Sequence, residues 1–368
     1  MNKGSVKRAL VISSYPAPYR VGVFKELAEE YDLEIYFDTC QNENRNKDWF
    51  CKNDNFYFEI LDNEAAKNKF KSAIKKIKQY DFVIAYDPAR KPAIKAIIEC
   101  QIHGVPYFVN NDGAFLNKNF LKDLIKRFLF RKAAACFSSG RSATEYFKYY
   151  GVSEEKIFEH KFTSLTKDDI LTAPTDDEEK KRMRTELKLP EKKTVITVGQ
   201  FIFRKGFDIL IKAWEDIGDN ALLLIIGGGE EKAGYEEYIK SHNIKGIKLI
   251  DFMQKQELYR YYSASDIFVL PTREDVWGLV VNEAMAFGLP IITTDKCNAG
   301  LELIEDDING YIVKTDDPSE LRERLRYLLE NPEVCYRMSE HNLNKIKEYT
   351  LENIAKEHIK AINKVLDF

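Results

Sequence analysis

The sequence predicts an α/β protein built from two Rossmann-like domains, each a doubly wound parallel sheet. Three observations support this prediction: a length of 368 residues, two successive series of short β-rich runs separated by helical stretches, and a charged break between the two series. A chain of this length exceeds the size at which one hydrophobic core usually keeps growing. Its composition, 44% hydrophobic and 31% charged, is ordinary for a globular protein and does not fit a disordered, collagen-like or repeat chain.

The first series of strands predicts the N-terminal domain. Short runs rich in β-branched and aromatic residues occur at 9–13, 33–37, 82–86, 106–110 and 134–139. Strands that alternate with helical stretches indicate a parallel sheet covered on both faces. We therefore predict one Rossmann-like domain over residues 1–172.

A break at residues 172–192 separates this series from the next. The segment loses the strand pattern, contains two prolines and is densely charged, which is typical of a domain boundary. The second series of β-rich runs follows at 194–199, 221–226, 247–250, 266–271, 290–294 and 310–313. We predict a second Rossmann-like domain over residues 190–350.

Residues 351–368 predict a C-terminal amphipathic helix. Apolar residues recur there at helical spacing and form one stripe: Leu351, Ile354, Ala355, Ile359, Ile362 and Leu366. The pattern alone lets this helix pack on either domain. We assign it to the N-terminal domain.

The distribution of cysteines, histidines and apolar residues narrows the class of protein. The six cysteines and five histidines are dispersed, with no CxxC pair, so we expect reduced thiols and neither a metal nor a cofactor. The apolar run at 9–12 is shorter than the core of a signal peptide, and no stretch reaches the length of a spanning helix. We therefore expect a cytoplasmic protein.

Net charge argues against a nucleic-acid partner. The whole chain has a net charge of -3, and no recognition helix or stacking sheet is apparent in the sequence. The N-terminal half is nevertheless net basic, which indicates that this half could face something anionic.

Two loops of the second domain contain residues suited to phosphate. Ligands of doubly wound sheets bind beyond the carboxyl ends of the strands. After the strand at 194–199, Arg204 and Lys205 come just before a predicted helix, where side-chain charge and backbone amides both favour a diphosphate. A solvated cation pair is the alternative. After the strand at 221–226, three glycines allow a ligand to approach the backbone closely, or simply form a turn.

A third loop carries two acids around a glycine. Asp275 precedes Gly278, which opens a predicted helix, and Glu283 lies on the second turn of that helix. One acid could meet a sugar and the other the ribose hydroxyls, while the amides of residues 277–279 face phosphate oxygens. Taken alone, each acid could equally be a solvated carboxylate or a helix cap.

The order and spacing of these motifs resemble the nucleotide-sugar domain of family 4 glycosyltransferases, which have the GT-B fold. The resemblance runs over residues 198–332 and rests on VGQFIFRKGFDILIKAW, IIGGGEE and SASDIFVLPTREDVWGLVVNEAMAFGLPIITTD. In this family the first acid of the acid-x7-Glu motif is usually Glu, and here it is Asp275. The resemblance implies two Rossmann-like domains that face a cleft, a UDP- or GDP-linked sugar donor, retention of anomeric configuration and no metal ion.

The resemblance also implies roles for individual residues. Arg204 and Lys205 would hold the diphosphate, Glu283 the ribose, and the loop at 251–253 the base. The predicted donor-binding residues are Gly199, Arg204, Lys205, Gly229, Phe252, Met253, Val276, Trp277, Gly278, Leu279 and Glu283. Asp275 is the catalytic candidate of this domain, where it would contact the donor sugar.

The first domain offers candidates for acceptor binding. Two prolines in the loop at 13–20 fix an extended turn that could direct Tyr15, Tyr19 and Arg20 toward a ligand. A rigid surface loop is the alternative.

Asp112 is the catalytic candidate of the first domain. It follows the strand at 106–110, and several family 4 enzymes place a histidine or an acid near the transferred sugar at this point. Asp112 could orient the acceptor or assist its deprotonation. A cap of the next helix is equally compatible with the sequence.

Residues 118–132 predict a basic amphipathic helix. Such a helix either contacts a membrane surface or covers a core. With the resemblance, it favours a peripheral transferase at the inner face of the cell membrane that extends a lipid-linked saccharide for capsule, lipopolysaccharide or another envelope glycan. A transferase with a soluble acceptor and a catalytically silent GT-B partner protein are the alternatives.

Overall fold

The computed structural model describes residues 6–40, 50, 56–113 and 120–367, the side chain of Leu121 excepted. The chain divides into two compact units. The first consists of Met1–Thr163 with Thr350–Phe368, and the second of Ser164–Tyr349.

The described residues of the first unit form a seven-stranded parallel sheet in the order β3-β2-β1-β4-β5-β6-β7. The strands are β1 (Arg8–Ser13), β2 (Asp32–Phe37), β3 (Glu59–Ile60), β4 (Phe82–Tyr86), β5 (Tyr107–Asn111), β6 (Ala135–Ser138) and β7 (Ile157–Glu159). The helices are α1 (Pro18–Leu27), α2 (Glu64–Lys75), α3 (Lys91–His103), α4 (Phe120–Arg131) and α5 (Arg141–Tyr149). The five predicted strands are present, and the short edge strands β3 and β7 extend the sheet.

The second unit holds a six-stranded parallel sheet in the order β10-β9-β8-β11-β12-β13. Its strands are β8 (Lys193–Gln200), β9 (Ala221–Gly228), β10 (Ile247–Ile250), β11 (Ile267–Leu270), β12 (Ile291–Thr294) and β13 (Gly310–Val313). Its helices are α6 (Asp177–Glu186), α7 (Phe207–Trp214), α8 (Lys232–Ser241), α9 (Lys255–Ser263), α10 (Leu279–Ala286), α11 (Asn298–Leu303), α12 (Pro318–Glu330) and α13 (Pro332–Ile346). The predicted fold class, two Rossmann-like parallel-sheet domains, is confirmed.

The segment at 164–171 belongs to the second unit, although the predicted first domain extended to residue 172. Two contacts hold the segment there. The carboxylate of Asp169 pairs with Lys255 of α9 at 2.7 Å, and the amide of Leu171 donates to the carbonyl of Ala286 at the end of α10. These partners lie far along the chain, so the local sequence pattern did not reveal the boundary.

Each sheet reverses its strand order beside its first strand. In the first unit the reversal falls between β1 and β4, and in the second between β8 and β11. A crevice opens at the carboxyl ends of two such strands because their following segments leave in opposite directions. The loops after β1, β4, β8 and β11 are therefore where ligands are expected.

The C-terminal helix α14 (Leu351–Leu366) packs within the first unit. Its contacts include a series of buried polar side chains. The Tyr86 hydroxyl lies 3.2 Å from Nδ1 of His358, and Nε2 of His358 lies 3.4 Å from Nδ1 of His160. The His358 ring also stacks on Phe137. Burial lowers the pKa of His160 to about 3 and holds the pKa of His358 well below its usual range.

We predict that acid weakens this packing. The unfolded chain binds protons at these histidines near pH 6.5, whereas folded His160 binds one only near pH 3, so stability falls as pH falls between these values. From pH 7 to pH 5 the free energy of unfolding should drop by about 2 kcal/mol per histidine. Urea denaturation of the wild type and of His160→Gln at both pH values measures this. An equal drop in the two proteins would contradict the role of His160.

Candidate functional site

The loops after β8 and β11 touch at a glycine. A short 3₁₀ turn, Phe203–Lys205, follows β8 and ends at Gly206, whose φ of 68° is left-handed. A Cβ atom at this position would lie 2.0 Å from the carbonyl oxygen of Pro271. Only glycine allows this approach. The contact continues beside it, where the amide of Arg273 donates to the carbonyl of Arg204 at 2.8 Å.

An ion pair joins the same two loops. Lys205 Nζ lies 2.5 Å from Asp275 Oδ2, and both side chains are largely buried. Arg204 donates from Nη1 to the carbonyl of Glu274 at 2.5 Å. The structure thus brings together three predicted site residues. An ammonium has three donors, so Lys205 can hold Asp275 and still bind an incoming anion.

Helix α10 begins immediately beyond Asp275. Its cap, Gly278, has a φ of 101°, and a Cβ there would lie 2.8 Å from Cys297 Sγ. The amides of Leu279 and Val280 open the helix and therefore have no intrahelical acceptor. These amides and the Lys205–Asp275 pair both belong to the loops that follow β8 and β11 at the switch point.

Trp277 occupies this loop but turns its indole inward. The ring is buried, and Nε1 donates to Asn282 Oδ1 at 2.8 Å. The neighbouring Val276 side chain is exposed, and Leu279 is half-buried. Among these predicted donor-binding residues, Trp277 can thus contact a ligand only through its backbone, whereas Val276 and Leu279 can offer side chains.

Glu283 lies on the second turn of α10 and is half-buried. Oε1 accepts a hydrogen bond from Ser164 Oγ at 3.1 Å, and Oε2 accepts one from the Tyr262 hydroxyl at 3.3 Å. Burial raises the pKa of Glu283 above its usual range, and the charge of Lys255 opposes that shift. The sequence did not indicate Ser164 or Tyr262, because neither lies near Glu283 along the chain.

The predicted glycines serve the packing of the loops. A Cβ at Gly229 would lie 2.5 Å from the carbonyl oxygen of Phe201, and one at Gly199 would lie 3.2 Å from the Phe207 ring. Gly229 is therefore needed for its approach to the protein backbone. In the loop after β10, Phe252 is exposed and Met253 half-buried, so their predicted contact with a base remains a prediction.

Arg273 fastens the turn at 203–205, and the sequence did not identify it. Its Nη1 and Nη2 each lie 2.8 Å from a carboxylate oxygen of Asp208, and Nε donates to Asp316 at 2.7 Å. The guanidinium also lies 3.9 Å above the ring of Phe203. A planar fork suits such multiple contacts, but the two acids lie far from Arg273 in the sequence.

In the first unit, Tyr19, Arg20 and Asp112 meet in one cluster, in which Arg20 is buried and the other two residues are half-buried. Within the described ranges, Asp112 accepts four hydrogen bonds: Oδ1 from Arg20 Nη1 at 3.1 Å and Asn110 Nδ2 at 2.7 Å, and Oδ2 from Tyr19 at 3.1 Å and Arg20 Nη2. A carboxylate has about four acceptor positions. The four acceptor positions of Asp112 are therefore occupied by protein donors in the structure, and its role in orienting or deprotonating an acceptor stays a prediction.

The electrostatics of the cluster agree with an internal role. Burial raises the pKa of Asp112, while the charge of Arg20 opposes the shift. Burial and the Asp112 charge raise the pKa of Tyr19, which keeps that hydroxyl a donor. Arg20 is 5% exposed and lies 4.3 Å above the Tyr86 ring. The guanidinium is therefore largely enclosed by the protein, and the contact of Arg20 with an acceptor stays a prediction.

Asp87, which follows β4, is the carboxylate that the sequence did not predict. Its φ is 56°, and Oδ2 accepts from Ser14 Oγ at 2.7 Å and lies 3.9 Å from Arg20 Nη2. The predicted Tyr15 is half-buried, with its ring edge-on to Phe50. The switch point of the first unit is thus polar and acidic beside β4.

Helix α4 exposes most of the apolar stripe that the sequence assigned to residues 118–132. The exposed members are Phe120, Leu124, Ile125 and Phe128. The helix contacts the core through Leu129 and Phe130 instead. Residues 118 and 119 lie outside the described residues. No helix in the described part of the chain is long and apolar enough to span a membrane.

We predict that Asp112→Ala unfolds the first unit more easily. The substitution leaves the buried Arg20 charge with only the more distant Asp87 carboxylate, which should lower the free energy of unfolding by up to about 3 to 5 kcal/mol. The double variant Arg20→Met/Asp112→Leu should lose less, because no charge stays unpaired. Asp251→Ala, which breaks an exposed pair with Lys232, is the control and should cost much less, because water screens an exposed ion pair. Urea denaturation measures the free energy of unfolding of each variant. If Asp112→Ala loses no more stability than the control variant, Asp112 does not stabilise the first unit.

A comparison with known protein families matches most of the second unit. Residues 178–345 match the family model of Glycosyl transferases group 1. An uncharacterized glycosyltransferase of Haemophilus influenzae is 33% identical over 172 residues, which is 45% of this chain and 48% of that protein. This chain therefore covers about half the length of that relative.

Two further proteins match over most of the chain. The N,N'-diacetylbacillosaminyl-diphospho-undecaprenol alpha-1,3-N-acetylgalactosaminyltransferase of Campylobacter jejuni is 22% identical over 313 residues, covering 82% of this chain and 81% of its own. The solved structure of HepE from Anabaena in complex with UDP has a TM-score of 0.79 at 14% identity, covering 97% of this chain and 100% of that one. The structural likeness shows the fold. Residues 178–345 of this chain are similar to the glycosyl transferases group 1 family, and its two parallel-sheet units have the fold of the GT-B glycosyltransferases.

Proposed function

We propose that the protein is a glycosyltransferase that moves a sugar from a nucleotide-sugar donor to a saccharide acceptor in glycan biosynthesis. One observation carries the proposal: the switch point of the second unit gathers Arg204, Lys205 and Asp275 beside the start of α10. Cations, a sugar-binding acid and free helix amides are the groups that a nucleotide sugar requires.

The diphosphate would lie between Lys205 and the first amides of α10. Lys205 is paired with Asp275 in the structure, so a bound diphosphate would share or take over its ammonium. Arg204 adds a second positive charge beside it. Such fixed cations can stabilise the leaving diphosphate in place of a metal ion, and the proposal therefore includes no metal and no cofactor. HepE was solved with UDP, which supports UDP as the first donor nucleotide to test, with GDP as the second.

We propose a retaining reaction in which the acceptor attacks from the side that the diphosphate leaves. The bond between the sugar C1 and the phosphate oxygen breaks, and a bond from C1 to the acceptor oxygen forms. The acceptor proton passes to the departing phosphate oxygen, so no protein base is needed. Asp275 would hold hydroxyls of the donor sugar, and Asp112, together with Arg20 and Tyr19, would orient the acceptor.

A lipid-linked saccharide is the acceptor that we propose, at the inner face of the cell membrane. Helix α4 exposes large apolar side chains next to exposed basic ones at Lys122, Arg127, Arg131 and Lys132. Ile102 of α3, the neighbouring helix, is also exposed. Apolar side chains flanked by cations suit the interface of an anionic bilayer. The Campylobacter relative acts, by its name, on a saccharide carried by diphospho-undecaprenol, and capsule or lipopolysaccharide assembly uses acceptors of this class.

We predict that Lys205→Ala weakens the binding of nucleoside diphosphates. The lost charge-assisted hydrogen bond should lower affinity about 10- to 100-fold for UDP or GDP, with little effect on uridine or guanosine. Isothermal titration calorimetry measures all four ligands, and thermal melting checks that the variant is folded. Lys240→Ala, an exposed lysine of α8, is the matched control. If Lys205→Ala binds UDP and GDP as the wild type does, the diphosphate site lies elsewhere.

We predict that the protein binds anionic vesicles through α4. Flotation with phosphatidylglycerol-containing vesicles at low salt should recover the wild type, and Phe120→Ser/Leu124→Ser/Phe128→Ser should reduce the bound fraction several-fold because apolar area leaves the interface. Tyr327→Ser/Tyr336→Ser removes exposed aromatic side chains of the second unit and should bind normally. A wild type that stays unbound would remove the support for a membrane-held acceptor.

A further inference from the structure

We infer that Ser164 is a positioning residue that sets the nucleotide specificity of the donor site, by holding the Glu283 carboxylate so that it accepts both hydroxyls of a ribose. The site would then select ribonucleotide donors over 2′-deoxyribonucleotide donors. This inference rests on the proposed function, in which Glu283 binds the ribose of the donor.

The hydrogen bonds of Glu283 leave room for two more donors. Ser164 Oγ takes one acceptor position on Oε1, and the Tyr262 hydroxyl takes one on Oε2. A carboxylate offers about four such positions in all. One therefore remains on each oxygen, which matches the two neighbouring hydroxyls of a ribose. A 2′-deoxyribose would leave one of these two acceptor positions without a donor.

Burial makes a missing hydroxyl costly. Glu283 is half-buried and Tyr262 fully buried, so water cannot freely replace a lost partner. A site built to hydrogen-bond a substrate hydroxyl rejects the analogue that lacks it, because its own polar group is left unpaired. The orientation of the carboxylate therefore decides how strongly the two sugars are distinguished.

The segment that carries Ser164 is itself fixed. Two residues on, Thr166 and Asp169 form a capping box, with the Thr166 amide 2.7 Å and its hydroxyl 2.9 Å from Asp169 Oδ2. The same carboxylate pairs with Lys255 of α9, and Leu171 bonds to the end of α10. Ser164 is thus held against the helix that carries Glu283, and its hydroxyl limits the rotation of that side chain.

A purely structural role for Ser164 predicts a different result. If the hydroxyl only attaches the segment at 164–171 to α10, its removal lowers stability and changes the affinity for both sugars by the same factor. If it positions Glu283, its removal changes their ratio. The ratio of the two dissociation constants therefore separates these roles.

The experiment compares UDP with 2′-deoxy-UDP, and GDP with 2′-deoxy-GDP, by isothermal titration calorimetry. We expect the wild type to prefer the ribonucleotide at least about 10-fold. Ser164→Ala should reduce this preference several-fold, and Ser164→Thr, which keeps the hydroxyl, should restore it. Ser241→Ala, at the exposed end of α8, is the control and should leave it unchanged.

Each outcome has a distinct meaning. Glu283→Gln should lose the preference and still bind through the diphosphate. A preference that is equal in the wild type and Ser164→Ala, or absent from the wild type, would overturn the role of Ser164 while nucleotide binding itself still supports the donor site. A wild type that binds none of the four nucleotides would overturn the proposed function and this inference with it.

Discussion

The meeting of two loops at Gly206 is the constraint on which the proposed donor site of the second unit depends. Because no side chain stands at this position, the turn after β8 approaches the carbonyl of Pro271 in the loop after β11. Lys205 thereby reaches Asp275 across the switch point of the sheet. Cation, acid and helix start are consequently held in one place by the backbone, before any ligand arrives.

Two of the buried ion pairs in the described residues differ in what they leave available. Arg20 and Asp112 lie in a cluster where the carboxylate is filled by four protein donors, so the pair holds the first unit together. Lys205 contacts Asp275 through one oxygen, and an ammonium can serve other acceptors at the same time. A pair of a cation and a carboxylate therefore stabilises the fold of the first unit, whereas the pair in the second unit is suited to binding an anion.

The sequence predicted features that depend on neighbours along the chain. Strand runs, the cations before α7 and the Asp275–Glu283 spacing all follow from local pattern. The sequence did not predict the contacts of Arg273, Asp87 and Ser164, because their partners come together only in the folded chain. For the same reason the sequence assigned residues 164–171 to the first domain, and it did not reveal that Asp112 accepts hydrogen bonds from four protein donors.

The role of the loops after β8 and β11 is tested most directly by a crystal structure of the protein with UDP. The account predicts phosphate oxygens within hydrogen-bond distance of Lys205 Nζ and of the amides of Leu279 and Val280, with the Lys205–Asp275 contact lengthened or shared. Phosphates bound away from these groups, with that contact unchanged, would contradict it.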